Sequence, residues 1–191
     1  MQHPANPPDP GDGPVSVDRR LIALRRRHAI DVLPLANWRA TRDGGGAADI
    51  AEGEPWPTGI GAVSFERHTV TIPASWPLAD VRLDLDLGGG AEVTLHSRYG
   101  RETHRIGAGG SALTPPTRAF GIRIVGHATG VAPRLGATVL LLVDPELGAA
   151  LARLESEADP TALDHELSVW ERRPVGRPTA ETDPGTAAPP T

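Results

Sequence analysis

The sequence predicts an all-β fold: an antiparallel, jelly-roll-like β-sandwich of six to eight strands, with a short N-terminal helix and one or two C-terminal helices. Three observations carry this. Val81-Arg82-Leu83-Asp84-Leu85-Asp86-Leu87 alternates aliphatic and charged residues without a break, the period of a strand that turns one face to a core. Further β-branched and aliphatic runs follow one another up to Val143, separated by Gly- and Pro-rich turns. No helical pattern lies between them, which is the punctuation of a sandwich and not of βαβ units.

A length of 191 residues suits one domain with flexible ends. The expected divisions are a disordered Pro-rich tail over 1–15, a helix plus sandwich domain over 16–143, a helical extension over 144–173 and a second disordered tail over 174–191. Met1 to Pro14 holds five prolines and almost nothing apolar, so burial cannot offset the entropy of ordering it.

The first element is a helix over Ser16–His28, with Val17, Leu21, Leu24 and His28 at helical spacing and Ser16 as its cap. Its other face carries Arg19, Arg20, Arg25, Arg26 and Arg27, and is expected to be solvated. Gly44 to Gly61 reads as a loop anchored by Trp56 and Trp38. Phe65 to Ile72 is a strand, but Val63 and Phe65 have the opposite parity to Val70 and Ile72. A bulge or bend between them is therefore expected.

Burying Val81, Leu83, Leu85 and Leu87 contributes about 1.5 to 3 kcal/mol each, which decides which face of that strand meets the core. Asp84 and Asp86 then fall on the solvent face. Gly88-Gly89-Gly90 turns the chain into a strand through Val93 and Leu95, Tyr99-Gly100 reverses it, and a weaker strand follows near Thr103–Ile106. Gly107 to Pro116 reads as loop. Phe120–Val125 and Ala137–Val143 complete the set, the latter apolar throughout and so central.

Asp144-Pro145-Glu146 opens a helix with Leu147, Leu151 and Leu154 in one stripe. Asp159-Pro160 opens another carrying Leu163, Leu167 and Trp170. Each spans about three turns, which is marginal in isolation. These six residues are expected to dock on the sandwich or on a partner chain.

Composition excludes several functions. The formal charge is -5, which gives no electrostatic basis for binding nucleic acid or an anionic membrane. Arginine accounts for all 19 basic residues and cysteine is absent, so disulfides, thiolate nucleophiles and Cys-based zinc sites are ruled out. No apolar run reaches the roughly 18 residues of a membrane span, and Met1–Pro14 has no apolar centre of a signal peptide. A cytoplasmic location is expected.

No catalytic constellation emerges. Asp84 and Asp86 resemble an acid/base pair, yet carboxylates at i and i+2 on an open sheet face are ordinarily just solvated. His96, Glu102 and His104 straddle a reversal, with no further metal ligand placed beside them, so surface histidines are the simpler reading. His68 and His127 are isolated. The glycine clusters at 88–90 and 107–110 lack a following Lys-Ser or Lys-Thr, and Ser64, Ser97 and Ser111 lie in no Gly-x-Ser-x-Gly elbow. The aromatic residues Trp56, Trp76 and Tyr99 are the candidates for stacking on a sugar ring, against a competing role in packing.

A family resemblance gathers these pieces. Pro34-Leu35-Ala36-Asn37-Trp38-Arg39 after an Arg-rich helix, then Phe65 to Pro73, Leu83 to Gly90 and Tyr99-Gly100-Arg101, resemble the amino-terminal region of bacterial α-mannosidases of glycoside hydrolase family thirty-eight. Arg134 to Leu147 is the most similar segment, and the resemblance spans Val17 to Asp159. It implies a sandwich that precedes a catalytic barrel. In the family, that barrel hydrolyses α-mannosides with a divalent metal, usually zinc, and a carboxylate nucleophile. The family's metal signature includes His-x-His, which this sequence lacks, so no catalytic residue and no cofactor are assigned to this chain. Where relatives have an aromatic-rich loop and an Asn-Gly or Asp-Gly reversal, this chain has Arg98-Tyr99-Gly100.

The expected function is a non-catalytic sandwich domain that supports or docks to an α-mannosidase catalytic polypeptide. The alternative is a stand-alone carbohydrate-binding module.

Overall fold

The computed structural model describes residues 17–42, 45–57, 62–107, 110–127, 133–156 and 160–174. The tail expected over 1–15 lies outside them, as do Ser16, Asp159 and all of the second tail except Pro174.

Helix α1 (Val17–Arg27) leads into β1 (Ala29–Pro34), β2 (Trp38–Arg42), β3 (Ala47–Ile50) and β4 (Ala62–Thr71). A single 3-10 turn at Leu78–Asp80 precedes β5 (Val81–Leu85), β6 (Ala91–Ser97), β7 (Gly100–Ile106), β8 (Ser111–Leu113), β9 (Ala119–His127) and β10 (Thr138–Val143). Helices α2 (Pro145–Ser156) and α3 (Pro160–Arg172) follow.

The strands form two antiparallel sheets, ordered β1-β10-β5-β8 and β3-β2-β4-β9-β6-β7. The last strand lies beside the first, and the chain crosses between sheets after β1, β4, β5, β7, β8 and β9. That is the strand order of a jelly roll, to which the β2–β3 hairpin adds two strands at the edge of β4. Ten described strands therefore replace the six to eight expected. Two of the extra ones, β3 and β8, occupy stretches read as loops. They are four and three residues long, too short to show a period.

The core lies between the sheets. Leu83, Leu85 and Leu140 from one meet Phe65, Val93, Leu95, Ile122 and Ile124 from the other. Strand β4 carries the expected irregularity, its pairing to β9 shifting register between Arg67 and Val70. The shift lets Val63, Phe65 and Val70 all reach the core despite their opposite parities.

The four-stranded sheet is covered on its outer face as well. Val139, Leu141 and Val143 of β10 pack there against Leu21 and Leu24 of α1, Leu147, Leu151 and Leu154 of α2, and Leu167 of α3. Leu163 and Trp170 lie against the same cluster. Strand β10 is thus buried on both faces, which is why its sequence is continuously apolar. Of the two surfaces on which these six residues were expected to dock, the sandwich is the one they pack against, and the stripes are not left open for a partner chain. Asp144 caps α2 as expected, its Oδ1 accepting the N–H of Glu146 at 2.8 Å and of Leu147 at 3.3 Å.

This helical layer also corrects the solvent-face reading of β5 and of the α1 arginines. Asp84 is 0 % exposed. Arg26 Nε donates to its Oδ2 at 2.9 Å, and Arg25 Nε lies 3.6 Å from its Oδ1. Burial pushes the Asp84 carboxyl above its ordinary value, while the two guanidiniums pull it back. Arg20 forks onto Glu171 at 2.9 and 3.1 Å and also pairs with Asp164, tying α1 to α3.

Candidate functional site

Cross-strand register decides what the outer face of the six-stranded sheet displays. One row runs across five strands as Arg39, Glu66, Arg123, Thr94 and Thr103. The adjacent outward row runs Gly121, His96, Arg101. Their neighbours in sequence, Phe65, Ile122, Ile124, Val93 and Leu95, point into the core. Period-two alternation therefore makes these two rows polar, with the charges contributed by four different strands.

A depression of about 300 Å³ sits across these rows, lined by Glu66, His68, Thr94, His96, Arg101 and Arg123. Gly121 accounts for its shape. A Cβ there would lie 2.1 Å from His96 Nε2, in the space the imidazole occupies. The glycine leaves room for the imidazole to lie across the strand backbone, a common reason for glycine in a strand interior. Arg123 Nε is 3.4 Å from Glu66 Oε1, and the Thr94 and Thr103 hydroxyls are 3.2 Å apart. Arg101 makes no hydrogen bond or ion pair with another described residue. The site thus presents two guanidiniums and two imidazoles against one carboxylate.

The pair His96–Arg101 lies next to Ser97–Gly100, which closes the β6–β7 hairpin. The tip of that hairpin carries Tyr99, 71 % exposed. The Arg98 guanidinium stacks on its ring at 4.6 Å from the centroid.

The other two aromatic candidates are corrected. Trp56 is 1 % exposed and meets the Phe65 ring edge-on with centroids 5.1 Å apart. It fits because Gly126, facing inward on β9, has no Cβ; one would lie 2.3 Å from Trp56 Cζ3. Trp76 is 5 % exposed and part of the same core. Neither offers a face to a sugar.

The remaining candidates do not converge. His104 pairs with inward-facing Val93, whereas His96 faces outward, so one strand's parity separates them. His104 Nε2 lies 3.9 Å from Glu102 Oε2. Among the described residues no three His, Asp or Glu side chains are grouped to hold a metal ion. Asp84 is spent on arginines, and Asp86 Oδ1 accepts the Gly88 N–H at 3.2 Å, so the two form no acid/base pair. Ser97 Oγ accepts the Tyr99 N–H at 3.1 Å and serves the turn. The side chain of His127 lies outside the described residues.

A second hollow, of about 330 Å³, opens where the β1–β2 and β3–β4 connections meet. Apolar Leu35, Ile50 and Leu135 line it together with Asp49, Glu52 and Glu54. The Glu54 carboxylate is engaged by the Ala51 N–H at 2.8 Å.

Sequence reading singled out His96 and Tyr99 of the first site but missed Glu66, Thr94, Arg101 and Arg123. Part of their signal was available: Glu66, Thr94 and Arg123 are each the polar member of an alternating strand, whereas β7, which carries Arg101, does not alternate. What was lacking was the register that sets four strands side by side. Among the described residues no helix is long and apolar enough to cross a membrane. A scan against protein-family models and a search of curated proteins find no match to this chain.

Proposed function

We propose that this chain is a non-catalytic β-sandwich module of the kind that precedes the catalytic barrel in bacterial α-mannosidases, and that it supports such a barrel from the cytoplasm. The observation that carries this reading is where the resembling segments fall. Pro34–Arg39 turns β1 into β2 and places Trp38 in the core. Phe65–Pro73 holds the bulged part of β4, Leu83–Gly90 continues β5 into its turn, and Arg134–Leu147 comprises β10 and the start of α2. The shared pattern is therefore the framework of both sheets.

The catalytic polypeptide expected as partner would meet a polar surface, because the leucines of α2 and α3 are consumed by the sandwich. Mixing the chain with a family catalytic domain that lacks its own sandwich tests this. Association on size exclusion and a raised melting temperature of the catalytic domain are expected, with no turnover of an aryl α-mannoside by the chain alone, with or without zinc. Zinc-dependent turnover by the chain alone, or no association at about 50 μM, a concentration that detects even weak complexes, overturns it.

A second reading, carbohydrate binding, is favoured by the depression beside Tyr99. Its volume suits a ligand of about one sugar ring, and its lining offers donors to hydroxyl groups.

A further inference from the structure

We infer that the depression formed by His96, Arg101 and Arg123 binds a small anionic ligand, a sugar that carries a phosphoryl or carboxylate group. This rests on the carbohydrate-binding reading and names the class of sugar.

The donor set carries the inference. Arg101 and Arg123 line one hollow with His68 and His96, and Glu66 is the only carboxylate in its lining. Glu66 is already 3.4 Å from Arg123, while Arg101 has no partner among the described residues. A planar guanidinium presents paired N–H donors that match the two oxygens of a carboxylate or phosphoryl group. An uncommitted fork beside a second arginine is complementary to that group and not to a cation.

A neutral sugar is bound in large part by stacking on an open aromatic face. None lines this hollow, and Arg98 covers one face of the Tyr99 ring. Gly121 supplies the independent geometric observation. In place of a side chain at Gly121, the ring of His96, the residue paired with Arg101, lies over the strand backbone. Thr94, whose hydroxyl lies 3.2 Å from that of Thr103, lines the same hollow.

Titrating the full chain with inorganic phosphate, mannose 6-phosphate and mannose, each followed by nuclear magnetic resonance of the His96, Arg101 and Arg123 signals, tests this. Saturable shifts with phosphate and mannose 6-phosphate but not with mannose are expected, and tighter binding of the sugar phosphate than of phosphate would show that the ring contributes. Arg101→Gln should weaken binding about tenfold or more, the loss typical of one charge-assisted hydrogen-bond pair. Gly121→Ala, which evicts His96 without touching a charge, should weaken it as well, with both variants melting as the parent does. Mannose binding as tightly as mannose 6-phosphate, with Arg101→Gln silent, overturns the anionic assignment while leaving carbohydrate binding intact. No shift with any of the three up to tens of millimolar sinks both.

Discussion

The two glycines of β9 show how single residues shape this protein. Gly121 faces outward and admits His96, whereas Gly126 faces inward and admits Trp56. Adding a methyl group should have unequal consequences. At Gly126 it would meet a fully packed indole, and overpacking of this kind costs about 1 to 3 kcal/mol. At Gly121 it would displace the half-exposed His96 ring, and the stability change should stay within about 1 kcal/mol. Urea denaturation of Gly126→Ala and Gly121→Ala checks both, and equal effects would contradict the assignment of faces. Asp84 is the other residue of consequence. Replacing it with Ala removes the buried carboxylate that faces both Arg25 and Arg26, and breaking a buried pair in this way costs about 3 to 5 kcal/mol. The same denaturation experiment measures it.

At the scale of elements, the helical layer is held by apolar contact and trimmed by charge. Leu167 of α3 is fully buried against β10, so Leu167→Ala should destabilise by about 2 to 5 kcal/mol, read as a lowered urea midpoint. Truncation after Ser156 removes α3 and should leave a folded sandwich that binds a hydrophobic dye. The seam between α1 and α3 also responds to pH. His28 meets the Trp170 ring edge-on at 6.2 Å between centroids, and burial, aided by Arg27, lowers its affinity for a proton below the ordinary value of 6.5. The unfolded chain therefore binds that proton more readily, and stability is lost as pH falls below 6.5. Arg20 holds the Glu171 carboxyl below its ordinary 4.5, so the stability from this pair is present above that pH and is lost in a second decline below it. Thermal melting from pH 8 to 3 should show both declines, and His28→Gln should remove the first alone.

The whole molecule is closed by the pairing of β1 with β10, which brings Ala29 to Val143, so the sandwich cannot be completed until most of the chain is made. Such non-local pairing predicts folding in milliseconds to seconds, which stopped-flow fluorescence of Trp38 and Trp56 can follow. Much of this architecture was legible in advance, because burial writes a period into each strand. The alternation of Val81–Leu87 marks β5, the parity break after Phe65 marks the bulge, and the unbroken apolar run of Val139–Val143 marks a strand covered on both faces. The candidate site was not legible. Its residues lie on β4, β6, β7 and β9, and their nearness depends on register, which no single strand records. The sequence by itself determined which aliphatic side chains of the strands leave water, since that depends on spacing along one segment. Tertiary structure alone decided which polar groups meet: Asp84 with Arg25 and Arg26 under a helix, His96 with Arg101 and Arg123 across a sheet. The reason is that charge pairing depends on distances between segments remote in the chain, and those distances exist only once the segments are packed together.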